Sequence, residues 1–123
     1  MKKRVELAKD KQVDMVVSIH ANSYVNDSVC GAQVFYYKDS DGGEVLAELI
    51  QKNISKVSTL NSDRDAKPNN DYYILRNVSV PSVIVECGFL SNPAEASMLK
   101  NEEYQRKIAW SIHLGIMEYL NQS

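Results

Sequence analysis

Asp14-Met15-Val16-Val17-Ser18-Ile19-His20-Ala21-Asn22 decides how the chain is read. An apolar, β-branched run bounded by polar residues predicts a buried strand over Asp14–His20, with a histidine at its downstream end. A second run, Ser82-Val83-Ile84-Val85, ends the same way in Glu86. In open α/β sheets, functional sites gather at the carboxyl ends of the strands. Two strands that bring an imidazole and a carboxylate to that edge point to a hydrolytic metal site.

The segments around these runs alternate. Lys2–Lys11 predicts a weakly amphipathic helix through Val5 and Ala8, and Asn22–Gly31 a polar loop. Ala32–Tyr37 is a further strand, broken by Asp39-Ser40-Asp41-Gly42-Gly43, where a helix starts. That helix carries Val45, Leu46, Leu49, Ile50, Ile54 and Val57 on one stripe. Thr59–Asp71 is polar and irregular, a long loop of the kind often used for function. Tyr72–Leu75 predicts a short strand. Asn92 fits an N-cap, Pro93 the first helical position and Glu95 the third, so a short helix starts there. Glu102–Leu120 predicts a final amphipathic helix with Ile108, Ile112, Ile116, Tyr119 and Leu120 inward. Strands alternating with helices give an α/β fold with a mixed, largely parallel sheet flanked by helices.

Composition narrows the function classes. The chain has 123 residues, enough for one domain with one core. Its formal net charge of −2 supplies no attraction for nucleic acid. No apolar stretch is long enough to span a membrane. Met1-Lys2-Lys3-Arg4 has the charge of a signal-peptide start, but no apolar segment follows, so no export signal is visible in these residues. Two cysteines, Cys30 and Cys87, are too few for a disulfide framework and read as free structural thiols.

The chemistry-bearing residues leave alternatives. His20 can bind zinc through either ring nitrogen, or can be a hydrogen-bonded structural residue. Glu86 follows a buried run, so desolvation raises its pKa toward that of a general base. Its structural alternative is a salt bridge to Arg76, which can instead meet a substrate carboxylate. Asn22 either caps a turn or orients a ligand. Tyr36, Tyr72 and Tyr73 line a groove or pack the sheet. His113 lies off the apolar stripe of the last helix and reads as solvent-facing. Cys87 alternates to the opposite side of its strand from Glu86, which opposes a thiol mechanism with His20.

In order along the chain, Ser18-Ile19-His20-Ala21-Asn22, Gly31–Tyr37, Tyr73-Ile74-Leu75-Arg76 and Pro81–Asn92 resemble the zinc-dependent N-acetylmuramoyl-L-alanine amidases of amidase type 3. Within the last stretch, Val85-Glu86-Cys87-Gly88-Phe89-Leu90-Ser91-Asn92 carries the resemblance furthest, with Glu95 and Leu99 beyond it and Arg4 and Ala8 before His20. The resemblance implies a peptidoglycan hydrolase that cuts the amide between N-acetylmuramic acid and the first L-alanine of the stem peptide. It makes His20 a Zn2+ ligand and Glu86 the catalytic carboxylate; Arg76 and Asn22 stay candidate substrate contacts on the reading of their own positions. It implies action in the cell envelope or outside the cell, and is nearest to the spore-cortex amidases that act in sporulation.

The family's first ligand lies in a Gly-His-Gly-Gly strand end and its glutamate ligand on the next helix; neither motif occurs here. Residues 1–123 therefore read as a single, N-terminally incomplete amidase catalytic domain, lacking the family's N-terminal strand and helix. The zinc site is then incomplete, and the segment is inactive alone. An uncovered sheet edge is expected to promote self-association. The alternative is a non-catalytic pseudo-amidase that binds peptidoglycan or a protein partner.

Overall fold

The structure is a computed structural model, and it describes residues 2–22, 26, 28, 30–57 and 64–122. Its elements are α1 (Lys2–Asp10), β1 (Val16–Asn22), β2 (Gln33–Tyr36), α2 (Asp41–Val57), β3 (Lys67–Pro68), α3 (Tyr73–Asn77), β4 (Ser82–Phe89), α4 (Pro93–Leu99) and α5 (Glu102–Leu120). The four strands form one sheet in the order β1-β4-β2-β3. β1 runs parallel to β4 and β2 parallel to β3, while β2 and β4 are antiparallel. This is the mixed, largely parallel α/β sheet expected from the alternation of patterns.

β4 has strands on both sides and helices on both faces, so all eight of its residues are buried. That is why it reads as a continuous apolar run and not as an alternating one. Its side chains nevertheless divide between two cores. Val83, Val85 and Cys87 pack with Leu46, Ile50 and Ile54 of α2 and Ile108 and Ile112 of α5. Ile84 faces the other way, onto Val5 of α1 and Ile74 and Leu75 of α3. α2 and α5 meet closely at Gly115, where a Cβ would stand 2.7 Å from Ile50 Cγ1. β1 pairs only with β4 among the described strands, and Ile19 at its edge is 58% exposed.

Three local readings are corrected. Tyr72–Leu75 is not a strand: α3 begins at Tyr73. The side-chain oxygen of Asn69 accepts the Asp71 and Tyr72 amides at 2.8 and 3.2 Å, which turns the chain. The Tyr72 carbonyl then accepts from Leu75 and Arg76 at 3.1 and 3.2 Å. A local asparagine turn thus overrides the β-propensity of Tyr-Tyr-Ile. Within the expected long loop, Lys67–Pro68 pairs with Phe35 and Tyr36 as β3; residues 58–63 lie outside the described residues. β4 also continues past Glu86 to Phe89.

Candidate active site at the ends of β1 and β4

His20 and Glu86 are direct neighbours in the register of β1 and β4. Neighbouring residues in paired strands point to the same face, here the face covered by α1 and α3. His20 Nδ1 stands 3.7 Å from Glu86 Oε1, beyond hydrogen-bond length. The Glu86 side chain is only 2% exposed, that of His20 24%. Among the described residues, Glu86 Oε2 is a buried side-chain oxygen with no hydrogen-bond partner. Burial pushes the Glu86 carboxyl up from its ordinary value, and the hydrogen-bonding hydroxyl of Tyr72 pulls it partly back. Burial also lowers the His20 pKa, helped by the positive charge of Arg4. The imidazole is therefore kept in its neutral, ligand-competent form.

Behind His20, Ser18 Oγ lies 3.0 Å from Nε2. Arg4 Nη1, reaching from α1, donates to the same hydroxyl at 3.0 Å. Tyr72, at the start of α3, tilts against Phe35 of β2 with ring centroids 5.7 Å apart. The sequence reading left Tyr72 between lining a groove and packing the sheet, placed Arg4 only in a resemblance, and gave Ser18 no role. The spacing signal for Ser18 was present, because two residues along a strand share a face.

A second carboxylate lies a few residues on. Glu95, also 2% exposed, accepts the Phe89 amide at 2.8 Å and the Gly31 amide at 2.9 Å. Arg64 holds the other end of the same Cys30–Gly31 peptide unit, donating to the Cys30 carbonyl through Nε at 3.0 Å and Nη2 at 2.6 Å. Gly31 takes φ 102° there, a conformation that favours glycine. Asn92 caps α4 as expected, its side chain accepting the Glu95 amide at 3.1 Å. The Glu95 side chain, however, turns away from the cap and ties β4 to the chain entering β2.

The remaining expected residues fall elsewhere. Arg76 is exposed on α3, in a separate cleft with Tyr37, Asp39 and Ser40. Among the described residues, no ion pair joins it to Glu86. Asn22 ends β1, but its side chain lies outside the described residues. His113 is exposed on α5, its ring centroid 5.1 Å from that of Trp110. Cys87 is buried on the α2/α5 face, where burial and then the Glu86 charge push its thiol up to about 11. A thiol held protonated on the opposite face is no nucleophile for His20 to activate.

Residues 1–118 match the family model described as N-acetylmuramoyl-L-alanine amidase. The chain belongs to that family. It is 36% identical, over 122 residues, to the germination-specific N-acetylmuramoyl-L-alanine amidase of Bacillus subtilis (strain 168). That match takes in 99% of this chain and 51% of the relative. Its fold superposes on the CwlD amidase of Clostridioides difficile, solved in complex with the GerS lipoprotein, with a TM-score of 0.92 and 42% identity. The overlap covers 97% of this chain and 60% of that one. For AmiC2 of Nostoc punctiforme the TM-score is 0.88 at 35% identity, covering 99% and 66%. The chain thus spans about half the length of the germination-specific relative. The likeness to the germination-specific amidase and to CwlD fits the resemblance drawn from the sequence.

The amidase residues described here supply one imidazole and one carboxylate to the shared edge. No three His, Cys, Asp or Glu side chains among the described residues could hold a metal ion together. Catalytic zinc takes three protein ligands and a water. A neutral imidazole beside a buried carboxylate with an unpartnered oxygen fits part of such a site in kind, though not in number.

Proposed function

We propose that this chain is the His20- and Glu86-bearing part of a peptidoglycan hydrolase. The bond cut is the amide between N-acetylmuramic acid and the L-alanine of the stem peptide, in the cell envelope or outside the cell. The observation that carries this reading is Glu86: a carboxyl 2% exposed, with Oε2 unpartnered, facing an imidazole at a shared strand edge. A buried polar atom left without a partner costs about 1–3 kcal/mol, and such a cost is retained where the group has a reacting partner to meet.

In this reading Glu86 takes a proton from the attacking water and returns it to the departing amine. Burial suits it to the first half of that task, because a raised carboxyl is a better proton acceptor. His20 is one ligand of Zn2+, kept neutral by burial and by Arg4. When bound, the metal supplies polarisation of the amide carbonyl and a more acidic water. The further ligands come from outside the described residues. The short donor set also allows a second reading, a pseudo-amidase that binds peptidoglycan without cutting it.

The test is Glu86→Gln in the whole protein, with release of stem peptides from muropeptides as the assay and zinc content measured alongside. Turnover should fall by about 10²–10⁴-fold with zinc retained. Equal turnover by the variant would end the catalytic assignment. A wild-type protein without stoichiometric zinc and without cleavage would favour the binding module.

A further inference from the structure

Ser18 is a polar residue in an apolar strand. It is 6% exposed, with Val16 before it and Ile84 as its register neighbour on β4. Packing alone would favour an aliphatic residue here, since a buried hydroxyl needs partners to offset its desolvation. Both partners are in place: Arg4 Nη1 at 3.0 Å and His20 Nε2 at 3.0 Å. A guanidinium only donates, so Arg4 fills one of the two lone pairs of Ser18 Oγ. The second can take a proton from His20 Nε2, leaving Nδ1 as the nitrogen turned toward Glu86.

We propose that Ser18, anchored by Arg4, is a positioning residue that holds the His20 ring through Nε2 and so presents Nδ1 on the Glu86 side. The proposal deepens the amidase reading and rests on it. A histidine that ligates a metal gives its second ring nitrogen to a partner that fixes ring orientation and tautomer, and loss of that partner costs about 10–100-fold in metal affinity. The arrangement links three elements. α1 supplies the anchor, β1 supplies hydroxyl and imidazole on one face, and β4 supplies the carboxylate opposite. α1 thus has a task besides covering Ile84 with Val5.

The experiment uses the whole protein with Ser18→Ala, Ser18→Thr and Arg4→Met. Zinc affinity is read by chelator competition. The ring nitrogens of His20 are read by NMR on metal-free protein, with the His20 signals assigned by their loss in His20→Gln. Ser18→Ala should bind zinc about 10–100-fold more weakly and shift the Nε2 resonance, and Ser18→Thr, which keeps the hydroxyl, should restore both. Arg4→Met should move both in the direction of Ser18→Ala, and serves if that variant fails to fold. Unchanged affinity with an unmoved Nε2 resonance in Ser18→Ala would overturn the proposal. Failure of the amidase reading is a different result: wild-type protein that neither takes up zinc nor cleaves muropeptides. The metal-free NMR comparison still decides in that case whether Ser18 holds the ring.

Discussion

Glu86 and Glu95 are two carboxylates of one segment, each 2% exposed, and they are opposites. Glu95 accepts two backbone amides and helps to clamp the Cys30–Gly31 peptide unit. Glu86 leaves Oε2 unpartnered and faces an imidazole beyond hydrogen-bond length. Equal burial therefore carries opposite meanings. A buried carboxylate whose oxygens are engaged by backbone donors holds the fold together. One whose hydrogen-bonding capacity is left over weakens the fold and is available for chemistry.

The largest effect that can break this contrast is on stability. Glu95→Ala leaves the Phe89 and Gly31 amides without their acceptor. Each such bond to a charged group is worth about 1.5–3 kcal/mol, so the loss should be about 3–6 kcal/mol in urea unfolding. Glu86→Gln should go the other way at neutral pH, gaining about 1 kcal/mol as function-for-stability exchanges often do. The sign follows from its raised carboxyl. Glu86 favours the folded state while it carries its proton, and that contribution is lost as pH rises through the raised value. The gain of Glu86→Gln over wild type should therefore shrink below the ordinary carboxylate range. If both variants lost stability alike, the two carboxylates would be doing the same job.

Half of this contrast is legible in the sequence. Glu86 and His20 can be found because each ends an apolar run, and strand ends are where α/β sites form. By its local pattern Glu95 can be read only as the third residue of a capped helix, since its bond to Gly31 crosses 64 positions. Ser18 falls between. Its shared face with His20 follows from strand periodicity, but the Arg4 contact comes from how α1 lies on the sheet. The fold shows the same division. Long periodic stretches such as α2 and α5 declare themselves. β3 does not, because two residues paired through backbone alone carry no side-chain alternation. α3 was hidden by Tyr-Tyr-Ile, whose propensity lost to the turn built by Asn69.

Cys87, directly after Glu86 but on the other face, sharpens the contrast by a smaller amount. Its thiol is pushed up from 9.0 to about 11, mainly by burial. The stability this represents is fully present below pH 9 and is lost as pH rises through about 11. The loss should be roughly 2–3 kcal/mol, read as the difference between the wild-type and Cys87→Ala stability profiles, in which the other titrating groups cancel. A difference that stays flat across that window would mean that the α2/α5 core admits the thiolate. Cys87 would then be a poor witness to how dry this end of β4 is.

The smallest effect is the most local. A Cβ at Gly88 would stand 3.2 Å from Glu95 Cδ and 3.3 Å from each of its oxygens. Gly88→Ala must therefore press the carboxylate away from the Phe89 and Gly31 amides, at a cost of about 1 kcal/mol. Hydrogen exchange at those two amides should quicken, while zinc uptake and turnover at the His20–Glu86 edge should hold. The same substitution in a Glu95→Ala background should cost almost nothing, because the new methyl then has no carboxylate to displace, and this double-mutant cycle isolates the contact. A full cost in both backgrounds would place the strain in the β4 backbone itself. The clamp and the catalytic edge would then be one mechanical unit, and the independence of the two glutamates would be lost.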